Sequence, residues 1–438
     1  MTTNWDLLVL GKTVLTMTPG EHAIDRGAVA IANGRIATVG PASELLDQAP
    51  TCKLLDAGDC VVMPGLVNTH SHLAMTLLRG LADDLPLKTW LEDHIWPAER
   101  DRMNAETIAV GTRLAAAELL LAGVTTTADM YFFADTVCET LAEAGLRGVV
   151  AESLIDAPTP RSATPEDMMV KQRELCEKWR GHPLIVPSIA AHSPYSVGPA
   201  NLVGEAELAD EMDVPLQIHL AETRWETETI LQKRNASPVA YLEELGVLSD
   251  RVVAAHCVHV SPDDIEILAA QRVGVSHNPV SNLKLASGIC PLPAMLDAGV
   301  RLSIGTDGAA SNNTLDLLRD LQIAALLHKG VVGDPTSLPA RKALELITVD
   351  GAQVLGLGDR VGRLATGFEA DLACFSTSAL HTLPLYDPMS HMVFAARSSN
   401  LRHTIVRGQV VVLDAKLQSI DREQLVADVE RVTEDFRQ

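Results

Sequence analysis

Eight short apolar runs, each followed by a loop or a stretch of helical period, limit what the middle of this chain can become. They are Gly65–His70, Thr125–Asp129, Arg147–Glu152, Ile185–Ala191, Leu216–Leu220, Val252–His256, Val273–His277 and Arg301–Asp307. Between them, segments such as 105–122 and 316–327 repeat apolar residues at the 3.6 period of a helix. Eight strand–helix alternations predict an α/β fold, a (β/α)8 TIM barrel whose strands all end at one mouth.

Both chain ends have a different texture. Residues 1–60 run in short apolar–polar alternations, and Asn33-Gly34 sits between two of them as a hairpin signal. The same texture returns at Ala370–Phe375 and in a second hairpin-like stretch, Thr404–Val412. The two ends are therefore expected to form one small composite β-sandwich from 1–60 and 366–438, leaving 61–365 as the catalytic barrel. The stretch Asp156–Asp167, rich in Pro, Thr and Ser, is expected as a mobile loop over the mouth, and the acidic stretch Asp421–Asp435 as a solvated helix.

Composition narrows the class of partner. A net charge of −22 leaves no basic surface for nucleic acid or an anionic membrane, so a small molecule is the expected partner. The N-terminal residues 1–6 show no basic segment leading into an apolar signal core, and no apolar run is long enough to span a bilayer. A cytoplasmic location is expected. The seven cysteines are scattered without a Cys-x-x-Cys pair and read as reduced packing groups.

Functional groups of a (β/α)8 barrel lie at the C-terminal ends of its strands, and several runs end in groups suited to one site. The first ends in His70-Ser71-His72; if the strand continues that far, alternation sends both imidazoles to one side. The fourth is followed by His192, the fifth contains His219, the sixth ends in His256 and the eighth in Asp307. Three neutral imidazoles and a carboxylate, His70, His72, His219 and Asp307, suit one divalent transition metal with a position left for water. A metal so held brings the pKa of water towards neutrality and makes the site hydrolytic. Glu222, three residues beyond His219, is placed to act as general acid and base, the ordinary reading being a glutamate that favours a helix start.

The stretch from Pro64 to Glu99, together with His219-Leu220-Ala221-Glu222, the segment Ser276–Leu285 and Gly305-Thr306-Asp307-Gly308, resembles the amidohydrolase superfamily. More narrowly it is similar to the 5'-methylthioadenosine/S-adenosylhomocysteine deaminases and their chlorohydrolase relatives. The resemblance covers nearly the whole chain. It implies one zinc ion per subunit, held by His70, His72, His219 and Asp307; a donor set of three imidazoles and one carboxylate accepts Fe2+ or Mn2+ as well. It further implies Glu222 as proton shuttle, His256 orienting the attacking water, Asp307 as a base, Glu99 holding the ribose hydroxyls and His192 contacting the purine or its sugar. The implied reaction is hydrolytic deamination of 5'-methylthioadenosine, with S-adenosylhomocysteine or adenosine as further substrates, a purine nucleoside giving the inosine analogue and ammonia. Glu152, at the end of the third run, puts an acid where an amino-acid carboxylate would want a base, which favours methylthioadenosine; Arg161 is the one cation that the 156–167 loop could bring.

Competing readings share the chemistry in different degrees. A guanine, oxidised-purine or cytosine-type nucleobase deaminase, or a triazine hydrolase, needs the same metal and acid but not the ribose clamp. A dinuclear cyclic amidase wants a modified lysine on the fourth strand, and Ile185–His192 contains none. A non-catalytic scaffold need not keep a full ligand set. His259, His277 and Lys284 are read as structural hydrogen-bonding groups around the site. A homo-oligomer is left open.

Overall fold

The computed structural model describes residues 5–48 and 52–437. Residues 1–4, on which part of the N-terminal reading falls, lie outside them.

All eight barrel runs form parallel strands in sequence order, from Leu66–Asn68 round to Arg301–Ile304. The first and eighth strands approach through single contacts: Thr69 N–H donates to the Ile304 carbonyl (3.4 Å) and Asp307 N–H to that of His70 (3.0 Å). Strand residues are buried on both faces, as parallel strands wrapped by helices must be. The fourth strand is split into Ile185–Pro187 and Ile189–Ala191; between them Ser188 N–H donates to the Val150 carbonyl. The expected helices appear at Ala105–Leu121, capped by Asn104, and Leu317–Val332, capped by Asp316.

Two expected strands are shorter than read. The first stops at Asn68 and the eighth at Ile304, so His70, His72 and Asp307 lie in the loops beyond. The physical reason is that the backbone of 69–71 pairs singly with different neighbours, as when Met130 N–H reaches the Ser71 carbonyl (3.3 Å), rather than in one ladder. Gly305 is required here: a Cβ would meet Ser276 Oγ at 2.6 Å and the His70 nitrogen at 2.8 Å.

The chain ends build two further sheets. Residues 7–10, 27–32, 35–41 and 53–56 make a four-stranded sheet, while Thr13–Val14, Ile24–Asp25 and Cys60–Pro64 join the C-terminal strands in a seven-stranded one. Both sheets share a core that includes Val9, Ile31, Val62, Leu372 and Ile405. The Asn33-Gly34 hairpin forms as expected, both residues having the positive φ that its tight turn needs (53° and 74°). Buried Arg147, at the base of the third barrel strand, ties this unit to the barrel. Its Nη2 donates to Glu369 Oε2 (2.7 Å) and Asp371 Oδ2 (3.0 Å).

The acidic C-terminal stretch is a helix, Arg422–Thr433, with Leu425 buried. No helix among the described residues is long and apolar enough to cross a membrane. Six of the seven cysteines, Cys60, Cys138, Cys176, Cys257, Cys290 and Cys374, are buried and form no disulfide.

Candidate active site

At the C-terminal mouth of the barrel the loops bring His70, His72, His219, His256 and Asp307 together. His70 Nε2 and His72 Nε2 lie 3.5 and 3.4 Å from Asp307 Oδ1, and His72 Nε2 lies 3.2 Å from His219 Nε2. The orientation of two rings is fixed by backbone carbonyls: His72 Nδ1 faces Met130 O (2.7 Å) and His219 Nδ1 faces His192 O (2.8 Å). A carbonyl only accepts, so each Nδ1 carries the proton and each Nε2 presents a lone pair.

Two lone pairs facing each other at 3.2 Å repel unless a cation sits between them. Burial, with neighbouring imidazoles, holds His219 well below its ordinary pKa, and burial also lowers His72, so neither ring readily supplies a proton to relieve the contact. Burial likewise takes His70 down to about 4, and its Nε2 is buried with no hydrogen-bond partner. Asp307 is buried too, yet His70 and the other imidazoles hold its carboxyl well below the usual carboxylate range. Neutral imidazoles and an ionised carboxylate are the forms a divalent metal binds, and the donor set fits one.

Around these groups lies a shell that the sequence did not single out. Ser281 and Ser311 donate to Asp307 Oδ2 (2.5 and 3.1 Å). Asn282 Oδ1 accepts from His256 Nδ1 (2.8 Å), turning His256 Nε2 towards Glu222, whose Oε2 is 3.7 Å away. Burial opposes a charge on His256, but Glu222 and Asp307 outweigh it and raise its pKa. His256 and Asp307 both hold positive φ (75° and 62°), backbone strain of about 1–3 kcal/mol each that concentrates at functional sites.

Glu222 lies just beyond the fifth strand and before the helix Arg224–Arg234. It does not behave as a surface helix-start charge: it is buried, burial raises its pKa, and Ser287 Oγ donates to its Oε1 (3.2 Å). The helix start is served instead by Thr223 and by Glu226, whose carboxylate accepts from the amides of Ala221 and Glu222.

Glu99 stands in the first turn of the helix Trp96–Arg102, which continues a π-type stretch, Trp90–Ile95. The wider π turn is a frequent device for aiming a functional side chain. Glu99 is buried, burial pushes its carboxyl up to about 7, and Tyr131 Oη donates to its Oε1 at 2.6 Å. It lines the same pocket as His72, His192, His219, Glu222, His256 and Asp307, together with apolar Met75, Leu87, Trp90, Leu91, Trp96 and Phe132. His192 Nδ1 is held by Ser196 Oγ (2.8 Å), and burial takes its pKa down to about 4. No lysine or arginine is among the described residues lining this pocket; Lys88, Arg224 and Lys284 stand further out, in the vestibule that opens from it.

Two sequence expectations meet a different arrangement. Glu152 does not face the pocket: its carboxylate accepts from the amides of Phe133 and Ala134, and Ser153 lines the pocket instead. Arg161 is also outside it, with its guanidinium 5.4 Å from the Phe133 ring centroid and in a separate cavity with Glu152 and Lys171. The stretch 156–167 runs into the helix Pro165–Trp179, which opens on a proline at its first position. His259, His277 and Lys284 make contacts of a structural kind: His259 to Ser287 O, His277 to His328, and Lys284 to Asp83.

A barrel with a His/Asp cluster that could hold a metal and a buried acid at its mouth suits a hydrolase, and residues 61–411 match the amidohydrolase family; the chain belongs to it. A short segment, 27–51, also matches a bacterial imidazolonepropionase-like composite domain. Among curated proteins the chain is similar to 5-methylthioadenosine/S-adenosylhomocysteine deaminases. That of Syntrophobacter fumaroxidans is 45% identical over 97% of each chain, and that of Moorella thermoacetica 43% identical over 93% of this chain and 94% of the relative. Among solved structures it resembles an adenosine deaminase from Xanthomonas campestris with bound zinc (TM-score 0.97, 38% identity, 99% of both chains). It also resembles the atrazine chlorohydrolase of Arthrobacter aurescens complexed with zinc (TM-score 0.90, 26% identity, 97% of this chain and 99% of that one).

Proposed function

We propose that this chain is an aminohydrolase that converts 5'-methylthioadenosine to its inosine analogue and ammonia. One zinc ion per subunit would be held by His70, His72, His219 and Asp307. Bound there, the metal supplies Lewis acidity and lowers the pKa of water. The observation that carries the substrate reading is Glu99, a buried carboxyl in the same pocket as the metal-ligating cluster, with one oxygen held by Tyr131 and the other free to accept from a ribose diol.

The roles of the side chains follow from their protonation. Glu222, raised by burial, holds a proton for ring N1, which makes C6 electrophilic as water adds there. His256, turned by Asn282, directs its Nε2 to the water. Asp307, kept ionised, takes the proton of the adding water and passes it to the departing amino group. His192 borders the nucleoside. The apolar walls suit a methylthio group, and the absence of a cation among the described lining residues favours it over the charged tail of S-adenosylhomocysteine.

The test compares kcat/KM for methylthioadenosine and for free adenine in the wild type and in Glu99→Gln. Loss of charge-assisted bonds to two hydroxyls is expected to lower the nucleoside value on the order of 10- to 100-fold and leave adenine unaffected. An unchanged nucleoside value overturns the assignment of Glu99 and, with it, the preference for a nucleoside.

A further inference from the structure

Glu226 is a buried carboxyl that the chemistry at C6 does not use, four residues beyond Glu222. The run Thr223-Arg224-Trp225-Glu226 has the form of a capping box, in which the glutamate turns back to the amide of the capping threonine. Thr223 does its part, its Oγ accepting from the Glu226 N–H (3.2 Å). Glu226 reaches further. Its carboxylate passes Thr223 and accepts from the two amides before it, Ala221 N–H at Oε1 (3.1 Å) and Glu222 N–H at Oε2 (2.8 Å).

The segment so held is strained. Ala221 has φ 51°, a conformation that a residue with a side chain rarely adopts, and its carbonyl accepts from the amides of Val258 and His259, just past His256. Glu226 thus closes from one side a turn that the loop after the sixth strand closes from the other. Two adjacent amides aimed at one point form a seat for an anion, and a carboxylate with an oxygen for each fills it.

The groups facing Glu226 are Glu222 on its own loop, His256 and Cys257 at the end of the sixth strand, and Tyr195 from the loop after the fourth. Burial raises the thiol and the phenol, so both stay neutral. Glu222 is faced in turn by His256 and by Asp307. Two neighbouring buried carboxyls resist ionising together. Glu226, with an amide on each oxygen, is the better place for the charge, and Glu222, which receives one hydroxyl from Ser287, the better place for the proton.

We propose that Glu226 is a positioning residue for the deamination, an ionised carboxylate that fixes the turn carrying Glu222 and by its charge keeps the proton on Glu222. The inference rests on the reading of Glu222 as the acid that protonates N1. The test compares pH profiles of kcat/KM for methylthioadenosine in the metal-loaded wild type, Glu226→Gln and Glu226→Asp, with metal content measured on each. Glutamine removes the charge and can accept from only one of the two amides. Its kcat is expected to be about 10- to 100-fold lower, and the alkaline limb of its profile, where Glu222 gives up its proton, to lie about one pH unit lower. Aspartate keeps the charge on a shorter arm, so kcat should fall with the limb in place. A purely structural role lowers activity evenly at every pH and moves no limb. In the wild type at pH 7, the infrared spectrum minus that of Glu222→Gln should contain a protonated-carboxyl band, a readout that needs no variant of Glu226 to fold. A limb that stays in place in Glu226→Gln, or moves as far in Glu226→Asp, or the absence of that band, overturns the proposal. A wild type that deaminates no nucleoside overturns the reading of the reaction instead, and the infrared difference still decides where the proton sits.

Discussion

Replacing Glu99 by glutamine separates what the buried carboxyl costs from what it does. In the folded chain burial lifts its pKa from the ordinary 4.5 to about 7, while one hydrogen bond from Tyr131 opposes that rise. The folded state therefore keeps a proton that the unfolded chain releases near 4.5. Its stability is highest below 4.5, falls as pH rises from 4.5 to 7, and is level above. A displacement of that size is worth about 3 kcal/mol at about 1.4 kcal/mol per pH unit. Glutamine is neutral throughout, and its side-chain oxygen still accepts from Tyr131. The variant should thus be the more stable protein at pH 8, by about 3 kcal/mol, and lose most of that advantage at pH 5. Thermal unfolding of both proteins at the two pH values reads the difference directly. An equal gap at pH 5 and pH 8 would refute the argument, because only a group that titrates in the folded state can make the gap depend on pH.

Other expectations follow from the same contacts. Glu222→Gln, which cannot pass a proton, should lower kcat about 10²–10⁴-fold, while metal content measured on the same sample stays unchanged. Ser281→Ala removes a hydrogen bond to Asp307 and should weaken metal retention against a chelator about 10- to 100-fold, read from the rate of metal loss. Arg147→Met leaves Glu369 without its main buried partner and Asp371 beside it, and should cost about 3–5 kcal/mol, measured as a lower unfolding midpoint with kcat unaltered.

Much of the fold was legible because parallel strands buried on both faces leave continuous apolar runs, and every one of the eight runs is a strand. The hairpin at Asn33-Gly34 was legible for a similar local reason, since few residue pairs accept positive φ twice. The strand ends were not: whether Thr69 or Gly305 continues a ladder depends on single hydrogen bonds to neighbouring strands, which leave no trace in periodicity. The histidines that meet at the barrel mouth could be found from their places after the runs. Ser281, Ser311, Asn282 and Tyr131 could not, because a hydroxyl or amide that supports Asp307, His256 or Glu99 across the barrel looks like any other polar residue in the chain. The direction of Glu152 was equally hidden. On a barrel strand adjacent residues face opposite ways, and an error of one position exchanges Glu152, which holds the amides of Phe133 and Ala134, for Ser153, which lines the pocket.

Hydrolysis at C6 of a purine nucleoside releases ammonia, and measuring that release is the most direct test. Adenosine, 5'-methylthioadenosine, S-adenosylhomocysteine, guanine and cytosine should be offered to the metal-loaded chain, with metal content determined on the same sample. The expected result is one ammonia per methylthioadenosine consumed, methylthioadenosine as the best substrate, and about one metal ion per chain, as three imidazoles and one carboxylate would hold. Ammonia from guanine or cytosine but none from any nucleoside would contradict it.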